Sequence, residues 1–147
     1  MTEPVLFYAG EFGYVFSNFS AFAVEWRGRL WPTSEHAYQA AKFDDGSIVN
    51  AIHRALSAYD ALQLAKINAE HIRADWDKEK IPVMKKIITA KFEQHPYVQK
   101  QLRQSIGREI IENAEKDAFW GRGPDWKGLN HLGKLWMELR SERFPGS

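Results

Sequence analysis

Apolar and polar positions alternate near the start of the chain, which is the pattern of a half-buried strand. Phe22, Val24 and Trp26 alternate with smaller or polar residues, and Arg27-Gly28 then predicts the turn of a hairpin that returns through residues 29–31. Residues 6–8 are predicted as a partner strand. The intervening segment, residues 10–19, is predicted as a loop too rich in aromatic side chains to be a simple connection.

Helical signals dominate the rest of the chain. Thr33 or Ser34 is predicted to cap a helix that places Glu35 in its first turn and ends near Phe43. Residues 78–94 carry Ile81, Met84, Ile88 and Phe92 on one stripe, as an amphipathic helix does. Further elements are predicted as helices at 48–55, 58–68 (capped by Ser57), 97–104 and 132–140, a strand at 109–112, and a loop at 117–130.

These elements predict the fold class. Helices outnumber strands, and most of the β structure is expected near the N-terminus. With no internal repeat, linker or low-complexity tract in its 147 residues, the chain is expected to form one compact domain over residues 1–147. We therefore predict a predominantly helical α+β domain with a small N-terminal β-sheet.

The composition narrows the function. The chain has no cysteine, which excludes disulfides, a thiol nucleophile and cysteine-bound zinc. Twenty basic residues against 19 acidic ones give a net charge of +1, so broad binding to nucleic acid is not expected, although one modified nucleotide could still enter a pocket. No apolar run approaches the roughly 20 residues of a membrane span, and the start lacks a secretory pattern. A cytoplasmic protein without membrane contact is therefore expected.

Aromatic residues are the next informative feature. Six Trp, five Tyr and nine Phe are more than a small core easily buries. A bulky aromatic core accounts for most of them, and the remainder are expected to line a pocket for a planar ligand.

The first cluster with chemical potential is residues 31–39. A carboxylate in the first turn of a helix feels the positive end of the helix dipole, which favours its ionised form. An ionised Glu35 could act as a base or as an anion that stabilises a developing cation. It is equally explained as a residue that stabilises the start of a helix and has no catalytic role. His36 has no second metal ligand at a suitable spacing, so a partly buried, hydrogen-bonded histidine is the better interpretation.

Two further clusters follow. Asp75 or Asp77 can cap the long helix, whereas Trp76 between them is better explained as one wall of a stacking slot. The glycine-rich segment 121–133 lets backbone N–H groups approach an anion, and Asn130 is predicted to begin a helix whose N-terminus can hold phosphate. The chain contains no Walker-type, Rossmann, Gly-x-Ser-x-Gly or His-Glu-x-x-His pattern. The residues alone therefore predict a pocket lined by aromatic side chains and a carboxylate, but they do not predict its substrate.

Taken together, the clusters resemble the NADAR family, whose best-known members are the YbiA-like N-glycosidases of riboflavin intermediates. The resemblance covers about residues 7–141 and rests on order and spacing as well as on residue types. The matching motifs are Phe16-Ser17-Asn18-Phe19; Trp31-Pro32-Thr33-Ser34-Glu35-His36 with Gln39, Lys42 and Phe43; Trp76 with Met84 and Lys91-Phe92; and Asp117-Ala118-Phe119-Trp120-Gly121 with Gly128-Leu129-Asn130-His131-Leu132-Gly133 and the segment to Arg140.

The resemblance implies an N-glycosidase that needs neither metal nor cofactor. Family substrates include phosphoribosylamino-pyrimidine intermediates of riboflavin synthesis, and some members resemble antitoxins that remove ADP-ribose from guanine in DNA or RNA. Glu35 is then the main catalytic carboxylate and Asp117 a supporting one. The implied substrate-binding residues are Asn18, Phe19, His36, Gln39, Lys42, Trp76, Trp120, Gly121, Arg122 and Asn130.

Chemical reasoning assigns roles within that set. Trp76, Trp120 or Phe19 could stack on the base, and Lys42, Arg122 or the glycine-rich loop could hold phosphate. The sequence departs from the family pattern at residues 105–108 and in its N-terminal loop, at Glu11, Phe12 and Tyr14. A non-catalytic module that binds ADP-ribose or a nucleotide is the main alternative, and a structural interaction domain is a weaker one. The oligomeric state is left open.

Overall fold

A computed structural model describes residues 3–8 and 14–146 of the chain. The chain divides into two compact units, which we call the terminal unit and the central unit after their place in the sequence. The terminal unit comprises Met1–Ser20 and His95–Ser147, and the central unit is Ala21–Gln94. Glu11 and Phe12, part of the predicted aromatic loop, lie outside the described residues, whereas Tyr14–Phe16 form a short 3-10 helix.

The central unit begins with the predicted hairpin. In chain order its two strands are the second and third of the structure, β2 (Val24–Trp26) and β3 (Arg29–Trp31), and they pair antiparallel. Arg27 and Gly28 both have positive φ, at 51° and 77°. Two such residues in a two-residue loop form the type of turn whose twist matches that of the flanking strands. The hairpin prediction is confirmed.

Four helices complete the central unit. They are α1 (Ser34–Ala40), α2 (Gly46–His53), α3 (Ala58–Ile67) and α4 (Trp76–Gln94). The side chains of Thr33, Asp45 and Ser57 each accept a backbone N–H of the first turn. These bonds satisfy donors that a helix start otherwise leaves unpaired, and they explain why the short polar residues mark the boundaries.

Helix α4 supplies much of the core of the central unit. Met84, Ile88 and Phe92 of the predicted stripe are buried, while Ile81 is only half-buried. The buried face is wider than predicted, because Val83 and Ile87 are also buried. Lys91 lies on the same helix and is fully buried as well.

The terminal unit contains a correction to the predicted sheet. Strand β1 (Val5–Phe7) does not join the hairpin but pairs in parallel with β4 (Ile110–Glu112), in the register Val5 to Ile110. The predicted late strand is thus confirmed, and the predicted partner of residues 6–8 is wrong. Parallel strands need a long connection between them, and here about a hundred residues intervene.

Two helices and an aromatic cluster form the core of the terminal unit. The helices are α5 (Pro96–Gln104) and α6 (His131–Arg143). The ring of Phe16 contacts those of Phe7 and Trp136, with centroids 5.9 and 5.0 Å away. The Trp136 indole N–H donates to the carbonyl of Phe16 at 3.1 Å, so this large side chain is buried with its polar atom satisfied.

The fold class is confirmed as predominantly helical α+β. Residues 3–8 and 14–146 form six α-helices and four short strands, the strands in two separate pairs rather than one N-terminal sheet. That the two units constitute a single domain stays a prediction. In the part of the chain that the structure describes, no helix is both long and apolar enough to cross a membrane.

Candidate active site

Glu35 lies on a helix whose residues are all buried. Its side chain belongs to a residue only 7% exposed, which is unusual for a glutamate unless it has partners. Thr33 fixes the start of α1, because its hydroxyl accepts the backbone N–H of His36 at 3.2 Å. A carboxylate held inside a protein interacts with nearby charge more strongly than one in water.

The Glu35 carboxylate is held by an amide from the next turn. Gln39 Nε2 donates to Glu35 Oε2 at 2.7 Å, a contact that the four-residue spacing of the helix permits. Gln39 is 3% exposed, so the pair is sheltered from bulk water. This bond restricts the orientation of the carboxylate.

His36 serves the structure of α1. Its Nε2 lies 3.0 Å from the carbonyl of Ala55, which can only accept, so Nε2 carries the proton. Its Nδ1 lies 2.8 Å from the Thr33 hydroxyl. Burial lowers the pKa of His36, with the Ala55 carbonyl and Asp60 partly opposing and His53 reinforcing the effect. Both ring nitrogens are therefore used in the central unit, as the interpretation of a hydrogen-bonded histidine expects.

Lys42 follows α1 and adds a positive charge. Burial lowers the pKa of Lys42, the Glu35 charge partly opposes this, and the charges of Lys80 and Lys66 lower it further. Its Nζ lies 5.4 Å from the centroid of the Tyr38 ring. Lys42 thus lies among charges of both signs, and the Glu35 carboxylate acts on it more strongly than either lysine.

Trp76 contacts the same helix from the start of α4. Its ring centroid lies 5.3 Å from that of Tyr38, and both residues are buried. Arg73 fixes this approach, since its backbone N–H donates to the Lys42 carbonyl at 2.8 Å and its guanidinium to the Ala41 carbonyl at 3.0 Å. The predicted cap residue Asp75 accepts both its side-chain bonds from Arg73, at 3.1 Å each. Neither Tyr38 nor Arg73 is among the residues predicted for the site.

In the terminal unit, Asp117 organises a turn of the glycine-rich loop. Its Oδ1 accepts the backbone N–H groups of Phe119 and Trp120 at 3.0 and 2.8 Å. The rings of Phe119, Trp120 and His131 cluster, with centroids 4.5 to 6.3 Å apart. Trp120 is partly exposed, so one aromatic surface remains accessible to a planar group.

Asn130 has a structural role that the sequence did not reveal. It precedes α6 with a left-handed φ of 53°, and its side chain does not cap that helix. Instead its Oδ1 accepts the N–H of Glu112 at 2.9 Å and its Nδ2 donates to the carbonyl of Ile110 at 3.0 Å. The amide thus holds β4 beside the start of α6.

The start of α6 differs from a phosphate cradle. The N–H groups of His131 and Leu132 donate to the carbonyls of Phe119 and Trp120, both at 3.1 Å. These two donors, at the helix N-terminus predicted to hold phosphate, are used by the loop. A Cβ atom on Gly133 would lie 2.1 Å from the Ile110 carbonyl, so this glycine is needed for close packing.

The other loop residues of the prediction also support the loop. A Cβ atom on Gly121 would lie 2.9 Å from that of Ala114. Arg122 donates to Asn113 Oδ1 and to the Gly123 carbonyl at 2.8 Å each, and its guanidinium lies 4.2 Å from the Trp126 ring centroid. Its guanidinium is thus already engaged by protein groups.

The remaining predicted residues lie near the short 3-10 helix of the terminal unit. Asn18 is 7% exposed and Phe19 is 44% exposed. The Phe19 backbone N–H donates to Ser17 Oγ at 3.1 Å. Phe19 therefore offers an aromatic surface to solvent, while Asn18 is buried.

The structure thus brings some of the predicted residues together. Around α1 of the central unit lie Glu35, His36, Gln39, Lys42 and Trp76. The terminal unit contains Asn18, Phe19, Asp117, Trp120, Gly121, Arg122 and Asn130. A common pocket for both groups stays a prediction from the family resemblance. Among residues 3–8 and 14–146, no three His, Cys, Asp or Glu side chains are arranged to hold a metal ion.

Comparison with known proteins identifies the family. The NADAR domain profile matches residues 6–142. The N-glycosidase YbiA of Escherichia coli is 40% identical over 127 residues, covering 86% of this chain and 79% of that protein. The riboflavin biosynthesis protein VVA0006 of Vibrio vulnificus is 37% identical over 143 residues, covering 97% of this chain but 39% of that longer protein.

A solved structure agrees with the sequence comparison. The NMR structure of the E. coli protein YbiA matches with a TM-score of 0.86 and 36% identity, covering 97% of this chain and 86% of that one. Profile, sequence and structure therefore point the same way. The chain belongs to the NADAR domain family.

Proposed function

We propose that the protein is an N-glycosidase, which hydrolyses the bond between a phosphorylated ribose and a nitrogenous base. The observation that carries this proposal is the buried Glu35 carboxylate, oriented by Gln39 at 2.7 Å. The name N-glycosidase of the E. coli relative, at 40% identity, supports the same activity. Without a metal or cofactor in the proposed reaction, the protein must supply the charge that the chemistry needs.

The proposed chemistry follows from where charge develops. When the bond from C1′ to the base nitrogen breaks, its electron pair leaves with the nitrogen and positive charge builds on C1′ and the ring oxygen. A carboxylate held beside that carbon stabilises the transition state more than the neutral ground state. Glu35 is proposed for this role.

A water molecule completes the reaction. Its oxygen bonds to C1′, one of its protons goes to a carboxylate acting as base, and the leaving nitrogen gains a proton. The products are the free phosphorylated ribose and the base. Glu35 is the first candidate for the base, and Asp117 is proposed in support.

The phosphate of the substrate is proposed to interact with Lys42. Its ammonium feels the charges of Lys66 and Lys80, so a phosphate would relieve repulsion among like charges. Two substrate classes fit this proposal. One comprises phosphoribosylamino-pyrimidine intermediates of riboflavin synthesis, and the other is ADP-ribosylated guanine in DNA or RNA. A cytoplasmic location is proposed with both.

Product analysis of purified protein tests the proposal. Wild type, Glu35→Gln and the control Glu25→Gln are incubated with a phosphoribosylamino-pyrimidine and with an ADP-ribosylated guanine oligonucleotide, in EDTA. Glu25 is an exposed residue of the same unit, so its variant matches the chemical change away from α1. We expect wild type and control to release ribose 5-phosphate or ADP-ribose, and Glu35→Gln to release at most about one hundredth as much in the same time.

Each other result has a defined meaning. Cleavage of only one substrate identifies the substrate class. If neither is cleaved and ADP-ribose still raises the melting temperature, the protein is a binding module and the proposed activity is wrong. Full turnover by Glu35→Gln would remove Glu35 from the mechanism, and loss of wild-type turnover in EDTA would contradict a metal-independent reaction.

A further inference from the structure

Gln39 has a fixed orientation because of its neighbour. A carboxylate oxygen only accepts hydrogen bonds when ionised, so the amide must turn its Nε2 toward Glu35, where the two atoms lie 2.7 Å apart. The carbonyl oxygen Oε1 of the same amide therefore points elsewhere. The orientation of Gln39 is thus set by the carboxylate proposed for catalysis.

That second amide atom is buried and unsatisfied. Within residues 3–8 and 14–146, Gln39 Oε1 has no hydrogen-bond partner, although Gln39 is only 3% exposed. Leaving a buried acceptor without a donor destabilises the folded protein, because the lost hydrogen bonds to water are not replaced. Native proteins rarely retain such an atom, and one beside a candidate catalytic group calls for a functional explanation.

The substrate of a ribosyl hydrolase carries a suitable donor. In the proposed reaction, C1′ of the ribose lies against the Glu35 carboxylate, and the 2′-hydroxyl is on the carbon next to C1′. Gln39 Oε1 belongs to the amide that contacts the same carboxylate. Hydrogen bonds to this hydroxyl strengthen as the transition state of glycoside hydrolysis forms. The unsatisfied acceptor and the hydroxyl donor are therefore complementary in chemistry, and the amide that carries the acceptor contacts the carboxylate proposed to face C1′.

From this complementarity we infer that Gln39 selects ribosyl over 2′-deoxyribosyl substrates by accepting the 2′-hydroxyl at Oε1. The inference rests on the proposed glycosidase activity and adds a determinant of substrate class. A site built to bind a hydroxyl rejects the analogue that lacks it, because the buried polar atom then stays unpaired. In contrast, a site that recognises only base and phosphate treats both sugars alike.

The first test uses wild-type protein and two substrates. The value of kcat/KM is measured for a phosphoribosylamino-pyrimidine and for its 2′-deoxyribosyl counterpart, after subtraction of spontaneous hydrolysis. We expect the ribosyl compound to be preferred by about 100-fold or more. Equal cleavage of both within about threefold overturns the inference and leaves the glycosidase proposal standing. If neither is cleaved, the same comparison is made with ADP-ribosylated guanine and its counterpart that lacks the hydroxyl next to the cleaved bond. Cleavage of none of the four compounds refutes the glycosidase proposal itself.

The second test separates recognition from positioning. Gln39→Met keeps the length of the side chain but removes both polar atoms, so it is expected to slow both substrates and to reduce the preference to about fivefold or less. Gln94→Met is the matched control, since the Gln94 amide bonds Glu25 on β2 at 2.7 and 2.8 Å. It is expected to keep the wild-type preference. A full preference in Gln39→Met would overturn the inference.

Discussion

Helix α1 and the loop at residues 117–130 carry the same kinds of side chain but use them differently. In the loop, Asp117 Oδ1 accepts two backbone N–H groups, and the Asn130 amide bonds backbone atoms of β4. On α1, Gln39 bonds the Glu35 carboxylate and keeps a buried acceptor unsatisfied. The loop side chains use their hydrogen bonds to hold the backbone in place. The Gln39 amide on α1 bonds another side chain and has an acceptor that is still unsatisfied, so it can bind a ligand.

The largest expected effect contrasts the two acids directly. Glu35→Gln should lower kcat/KM by about 100- to 1000-fold, because it removes the charge that faces the developing cation. Asp117→Asn should lower it by at most about tenfold, because the amide oxygen can still accept both backbone N–H groups. Steady-state kinetics on whichever substrate wild type cleaves measures both values.

Melting temperatures provide the control for this contrast. Both variants keep an oxygen acceptor and a similar shape, so each should melt close to wild type. The comparison of the two regions would fail if Asp117→Asn lost more activity than Glu35→Gln while remaining folded.

A smaller effect is expected for Asn130, and on stability rather than turnover. Asn130→Ala should lower the free energy of unfolding by about 2–3 kcal/mol, because two backbone groups of β4 lose their buried partner. Urea unfolding measures this change. Asn68→Ala is the control, since its amide makes one local bond to the Leu64 carbonyl and should cost about 1 kcal/mol or less. Normal stability with lost turnover would instead place Asn130 in the site.

The last prediction concerns the pH dependence of stability and Lys91, a buried charge on α4. Burial lowers the pKa of Lys91 to about 7. At a pH between about 7 and the ordinary lysine pKa, the Lys91 side chain is protonated in the unfolded chain but deprotonated in the folded one. The free energy of unfolding should therefore rise with pH from about 7 to 10, by up to about 1.4 kcal/mol per pH unit.

Lys91→Met should remove this contribution, because methionine has no proton to lose. Lys86→Met, at an exposed position of the same helix, should retain it. Urea unfolding of both variants and wild type at pH 7, 8 and 9 measures the slopes. Parallel curves for wild type and Lys91→Met would show that the Lys91 ammonium is not destabilised by burial.

Local features of the fold could be predicted from the sequence. The Arg27-Gly28 turn and the helix starts at Thr33 and Ser57 each depend on residues no more than four positions apart in the chain. Their physical causes can therefore be read from the local sequence. The contact between Gln39 and Glu35 is likewise a matter of helical spacing. In these places, the chemistry that fixes the structure is contained in one short segment.

Features that depend on distant residues could not be predicted. The pairing of Val5 with Ile110 is set by the packing of the terminal unit, and a three-residue apolar strand is compatible with several partners. Asn130 looks like a helix cap, yet its amide is used by β4. The amphipathic pattern of α4 does not reveal that Lys91 belongs to its buried side. Hydrophobic periodicity predicts which face of an element is buried, but it does not predict which other element packs against that face.

The parallel pairing of β1 with β4 also has a consequence for the order of synthesis. β1 (Val5–Phe7) is translated about a hundred residues before its partner Ile110–Glu112. At about 5–20 residues per second, the strand waits roughly 5–20 seconds on the ribosome. The contiguous segment Ala21–Gln94 has no such wait. β1 can therefore pair with β4 only after the whole segment Ala21–Gln94 has been translated.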